Sequence, residues 1–285
     1  MIQLDGATVL LKWAVGGLLF LWVTTRRREV SLGYGWLMRS VYGLMAIGSI
    51  AVATIIGTVP VREVSAALVA LATGVALVVS IVRRRAGVAG ERERVARKQE
   101  RVYAMTGIER AYKGPDRDAA EFPPWLDLVA PVIGVVGLVA AGVHAGHPVP
   151  LSIARTLVGA AFLGAITDAM LLGHWYLVQP GLARGPLLEI VRWTLWIWPV
   201  EVAVLLIPTG MVSVLNGSVN DHYNGLFGFM WVGCAVLTGV LLFVTRAALK
   251  ERSYSAVMAA TGLLYLAILT AFGTDLVARA VLAGH

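Results

Sequence analysis

The sequence predicts an all-α, polytopic bundle of about eight membrane-spanning helices with both termini outside, and three observations predict it. Of the 285 residues, 58% are hydrophobic and 14% are charged, whereas a soluble domain carries about 25% charged residues. The mean hydropathy is +0.76. The apolar residues also fall in runs of about 20, the length that crosses a bilayer as a helix. This composition excludes a secreted disulfide scaffold, a disordered tail and an ordinary cytosolic enzyme. An outer-membrane barrel would need alternating segments of about ten residues, and none is present. Open strands would leave backbone groups unpaired in lipid.

In chain order the expected spans are 7–24, 40–58, 64–82, 125–144, 151–178, 187–208, 225–245 and 256–280. The first run starts near Ala7 without a basic leader, so it is expected to stay in the mature protein as a helix. The basic residues orient the bundle. Of 24 Lys and Arg, 19 fall in one set of loops: Arg26 to Arg28, Arg39, eleven within 83–123, Arg184, Arg246, Lys250 and Arg252. Arg62 alone falls in the opposite set. Basic loops face the cytoplasm, so both termini are expected on the periplasmic side of a bacterial inner membrane. The net charge of +7 then reads as attraction to anionic lipid rather than to nucleic acid.

The segment 83–123 runs from Arg83-Arg84-Arg85 to Pro123-Pro124, with interleaved charges over 91–113 that predict a solvated helix with i,i+4 pairs. It divides the chain into a three-helix part, 1–82, the basic cytoplasmic loop, and a five-helix part, 124–285. Trp and Tyr at Tyr34, Trp36, Trp125, Trp175, Tyr176 and Tyr254 suit interface anchoring. Trp193, Trp196 and Trp198 are concentrated in the sixth span; Trp193 and Trp196 share a face, as pocket walls would, although packing explains them as well. The single cysteine, Cys234, lies in an apolar run and offers neither a disulfide nor a metal cage.

Ionisable residues inside spans carry most of the functional information, because a lone charge in lipid costs several kcal/mol. Asp168 is expected in the fifth span toward the cytoplasm, Glu201 and Asp275 toward the outer side of the sixth and eighth. Arg192 and Arg279 are embedded cations, with Lys12 and Arg155 nearer the outer ends. Asp275 and Arg279 can pair at i,i+4, and Glu189 and Arg192 at i,i+3. Asp168 and Glu201 have no such neighbour, and so are candidates for proton exchange. Pro199 is expected to open the helix before Glu201. His174, about 1.5 turns from Asp168, is either an interfacial anchor or a link between Asp168 and the cytoplasm. A haem crossing the membrane needs matched histidines on two helices. His144 has only His147, His222 and His285 near its level, all loop or terminal residues, which argues against haem b. No phosphate-binding loop, dinucleotide fingerprint, zinc helix or serine elbow occurs, and no metal site is expected.

The last span contains Gly273-Thr274-Asp275-Leu276-Val277-Ala278-Arg279. This Gly-x-acid-Leu-x-x-Arg pattern resembles the final helix of the quinone-reactive membrane anchors of molybdopterin oxidoreductases, of the dimethyl-sulfoxide, polysulfide and nitrite reductase type. The resemblance covers about 25 residues and implies a haem-free, often eight-helix subunit that handles quinol beside an iron–sulfur protein. It carries over Asp275 and Arg279 alone. The chain departs in having Asp275 where Glu is usual and in its long 83–123 loop.

The leading expectation is therefore a membrane subunit that binds menaquinone or ubiquinone and exchanges protons while electrons pass to or from a partner redox subunit. At most it is the quinone-reactive part of an oxidoreductase in respiratory electron transport. Asp275, Glu201 and His144 would form an outer site beside Trp193 or Trp196, with Asp168 and His174 connecting to the cytoplasm. The alternatives are a proton- or cation-coupled transporter or channel using the same carboxyls, and a structural subunit of a larger complex. A lipid- or isoprenoid-handling enzyme would want an acidic DDxxD motif, which is absent.

Overall fold

A computed structural model describes residues 5–106, 115–116, 118–146, 148–179, 181–208, 210–220, 223, 225–251 and 253–282. Within them the chain is all helix and turn. The elements are α1 (Gly6–Thr25), α2 (Leu32–Ile56), α3 (Pro60–Val82), α4 (Ala89–Thr106), α5 (Leu126–His144), α6 (Val149–Val178), α7 (Gly185–Leu206), the short α8 (Met211–Leu215), α9 (Leu226–Ala248) and α10 (Tyr254–Leu282). Seven of these are long and apolar enough to cross a membrane. The eighth long helix, α7, has 22 residues but carries Glu189, Arg192 and Glu201. This is a multi-pass membrane bundle. Large apolar side chains such as Leu71, Val78, Phe229 and Phe243 point outward, as lipid-facing helices require.

Local chemistry sets several helix ends. The Asp5 side chain accepts from the Ala7 N–H at 3.0 Å and caps α1. Pro60 opens α3 in its first turn, where a missing N–H costs nothing. The second helix begins at Leu32, eight residues before the expected start of its span, so Arg39 lies inside it. Pro199 does not interrupt α7, which runs through to Leu206. α4 is the polar helix expected in the long loop, with an exposed Glu93–Arg97 i,i+4 contact at 3.8 Å. Positions 107–114 and 117 of that segment lie outside the described residues.

α1 is the central post, packed against α2, α5, α6 and α7. Its contact with α6 is close enough that a Cβ on Gly16 would sit 1.8 Å from the Ala160 carbonyl oxygen, and one on Gly164 2.1 Å from the Gly16 carbonyl carbon. Small residues permit this backbone approach. Gly17 makes room for the Tyr42 ring, whose Cζ would be 2.0 Å from an added Cβ. The C-terminal half of α10 lies at the face where α1 begins, since Asp275 meets Lys12 there. That face is called the terminal face below, and the one carrying α4 the loop face.

Candidate functional site

On the terminal face four helices bring charged side chains into one buried cluster. Lys12 of α1 donates to both Asp275 oxygens of α10, at 2.8 and 2.9 Å. Arg279, one turn further along α10, donates to the same carboxylate at 3.0 and 3.1 Å. Its Nη2 reaches the Arg155 carbonyl oxygen of α6 at 3.2 Å. The Arg155 guanidinium closes the C-terminal end of α7, donating to the carbonyls of Val204 at 2.9 Å and Ile207 at 2.6 Å. A cation there also opposes the negative end of the helix dipole. Gly159 is part of the construction, because a Cβ on it would lie 2.7 Å from Lys12 Nζ.

Glu201 of α7 completes the cluster and differs from its neighbours. It is wholly buried, and Lys12, Asp275 and Arg279 act on it electrostatically. Neither of its oxygens makes a hydrogen bond of ordinary geometry, and the Asp275 carboxylate stands at the margin of one. Three cations (Lys12, Arg155 and Arg279) thus surround two carboxyls, only one of which is closed by direct bonds.

Asp168, on α6 toward the loop face, is also wholly buried. The Tyr42 hydroxyl of α2 donates to its Oδ1, and Oδ2 has no partner. The adjacent Thr167 hydroxyl accepts from Trp13 Nε1 of α1 at 2.9 Å. His174 does not share this site. Six residues along a helix turn the side chain about 240°, and His174 is exposed, with Nδ1 3.2 Å from the Tyr265 hydroxyl of α10. His144 is exposed at the terminal-face end of α5. It stands about 37 Å from the level of His174 by the rise along α6. His147, His222 and His285 lie outside the described residues.

The expected aromatic walls do not meet the cluster. Trp193 is 43% and Trp196 72% exposed, both on the outer side of α7. Trp198 instead donates to the Ala235 carbonyl of α9 at 2.9 Å. Glu189 does not pair with Arg192, which is exposed; it takes Arg26 and, at 3.5 Å, Arg27 from the end of α1. Arg62 is no free loop cation, because it is buried against Asp5, Glu63 and Thr8.

Sequence reasoning passed over Asp127. In the first turn of α5 it receives Arg39 Nε and Nη2 at 2.8 and 2.7 Å, both partners buried. Arg39 also stands 4.6 Å over the Phe122 ring. The available signal was an acid in the first turn of one span and a cation just inside another. Beside this pair, on the loop face, Arg28 is pulled below its usual pKa by burial and then by Arg92, while binding Glu121 and the Gly87 carbonyl.

Three cavities border these features. A cleft of about 120 Å³ between α1, α5 and α6 is lined by apolar residues including Val15, Gly16, Pro131 and Ala160. Another, about 390 Å³, opens between α3 and α5 and is also apolar. The third lies by Arg28 and Arg39 at the loop face. None is lined by Glu201, Asp275 or Asp168. Both Asp275 oxygens are taken by Lys12 and Arg279, and Trp193, Trp196 and His144 face outward. Among the described residues no three His, Cys, Asp or Glu side chains converge as metal ligands would. Compared with known proteins, the chain matches no family model, no curated sequence and no solved structure.

Proposed function

We propose that this chain is a multi-pass protein of a bacterial inner membrane that moves protons or cations on buried carboxyls, with Glu201 as the group that binds and releases. One observation carries this reading: Glu201 is fully enclosed among Lys12, Asp275 and Arg279, yet makes no ordinary hydrogen bond. A purely structural ion network tends to close, because an unpaired polar group in a dry interior costs free energy. A carboxyl left open can take up or lose a proton without first breaking a bond. The neighbouring cations and Asp275 oppose each other in setting its charge. Orientation follows from the crowding of basic residues on the loop face, which is cytoplasmic by the positive-inside rule, with both termini periplasmic.

The test is ion flux by the purified chain in lipid vesicles. Wild-type vesicles should dissipate an imposed pH gradient, followed by an internal pH-sensitive dye. Glu201→Gln should lose most of that flux and Trp196→Leu should keep it. Vesicles no leakier than empty ones to protons, sodium or potassium would sink this reading and leave a structural subunit of a larger assembly.

A second reading is a quinone-binding subunit that exchanges protons while a partner redox subunit handles electrons. It is favoured by the motif residues Asp275 and Arg279 lying at the centre of the cluster. Purification in mild detergent separates the two. Iron–sulfur subunits or quinone travelling with the chain support the redox reading, and a pure homo-oligomer supports transport.

A further inference from the structure

Asp168 poses a different problem from Glu201. It is wholly buried, and no charged group among the described residues acts on it. The groups that face it are tyrosines. From α2 come Tyr42, which donates to Oδ1, and Tyr34, which interacts with Asp168 and Tyr42 electrostatically. From its own helix Tyr176 acts on Tyr34, and the Tyr176 hydroxyl is taken by the Ala183 carbonyl. α1 adds Thr24, whose hydroxyl donates to the Phe20 and Leu21 carbonyls of its own helix. Two polar atoms in this group make no hydrogen bond of ordinary geometry: Asp168 Oδ2 and the Tyr34 hydroxyl, which has Thr24 at the margin of one. A carboxylate without a counter-charge costs several kcal/mol in an apolar interior. A proton on the open Oδ2 removes that cost without any further occupant.

The direction of access is also legible. Tyr34 lies in the first turn of α2, at the loop face. Tyr42 lies eight residues deeper, about 12 Å along the helix, with its ring in the notch left by Gly17. Toward the terminal face the α1–α6 contact at Gly16, Ala160 and Gly164 leaves no room for a Cβ, let alone a water chain. His174 points away and is engaged with Tyr265.

We propose that Asp168, Tyr42 and Tyr34 form a proton-holding site served from the loop face. In this site the Asp168 carboxyl exchanges its proton with solvent water by way of Tyr34, and not by way of His174. On uptake, hydronium gives a proton to the Tyr34 hydroxyl oxygen and leaves as water, and Tyr34 passes its own hydroxyl proton to Oδ2. On release, Oδ2 returns a proton to the Tyr34 hydroxyl oxygen and water accepts the proton that Tyr34 gives up, while Tyr42 keeps its own and goes on donating to Oδ1. The site stands on its own observations: it holds or fails whatever the Glu201 flux assay reports.

Infrared difference spectroscopy of the full chain in lipid, with hydrogen–deuterium exchange, tests it. The wild type should show a carboxylic-acid C=O band that Asp168→Asn removes. Tyr42→Phe keeps the ring in its notch and should move the band to higher frequency, because the carbonyl oxygen loses a donor. Tyr34→Phe should slow the deuterium shift of the band, and His174→Ala should leave band and exchange unchanged. The Tyr42→Phe shift reads the same group should Asp168→Asn fail to fold. Absence of the band, its survival in Asp168→Asn, its replacement by a carboxylate signal that responds to sodium, or slowed exchange in His174→Ala would each overturn the proposal.

Discussion

Asp127 and Glu201 are both carboxyls buried in an apolar bundle, one at each face, and their fates differ. Asp127 receives two direct donors from Arg39, a third contact from Thr25 at 3.4 Å, and a guanidinium seated over Phe122. Its charge is closed, and the bond ties α2 to α5. Glu201 shares its compartment with Lys12, Arg279 and Asp275 and receives no ordinary hydrogen bond. A buried charge alone therefore says little about its role. Whether geometry completes its bonding separates a clamp from a group free to react.

The largest effect is expected at the closed pair. Arg39→Met strands the Asp127 charge and should cost about 3–5 kcal/mol, read as a fall in thermal stability in detergent. Arg39→Met combined with Asp127→Leu should recover most of that loss, since an apolar pair of similar bulk needs no partner. A single variant as stable as the wild type would remove the clamp from the comparison. Next comes the α1–α6 contact that lies between the two carboxyl sites. Gly164→Val drives side-chain atoms into the Gly16 backbone and should cost about 1–3 kcal/mol by the same measurement.

Glu201→Gln should be milder, changing stability by less than about 1 kcal/mol, because it breaks no strong bond. Asp127→Asn should be clearly worse, and equal losses in the two amide variants would erase the distinction. The smallest effect belongs to Trp196→Leu. This side chain is 72% exposed, and the change should stay within about 0.5 kcal/mol without altering vesicle flux.

Much of this architecture can be read from the chain. Long apolar runs and segregated basic residues announce the helices, and Asp275 with Arg279 is legible because one helical turn brings i and i+4 together. The same rule misleads at Glu189, where Arg192 is equally close in sequence. α7 turns Glu189 inward to Arg26 and Arg27, and leaves Arg192 exposed. Periodicity offers candidate pairs but does not say which face is interior. Arg39 reads as a loop cation when its span is taken to begin at 40, but the helix begins at Leu32 and its partner lies 88 residues away. Trp193 and Trp196 do share a face, but it is the outward one.

By itself the sequence determined that the chain is helical, crosses a membrane many times and carries ionisable groups at particular depths, because span length and local helix geometry are properties of neighbours along the chain. Only the tertiary structure decided which of those groups meet. Lys12 reaches Asp275 across 263 residues, Tyr42 reaches Asp168 across 126, and Glu201 is left without an ordinary hydrogen bond beside the first pair. Such contacts depend on the rotation of each helix about its own axis. That rotation is set by small-residue packing between helices and not by any local run of sequence.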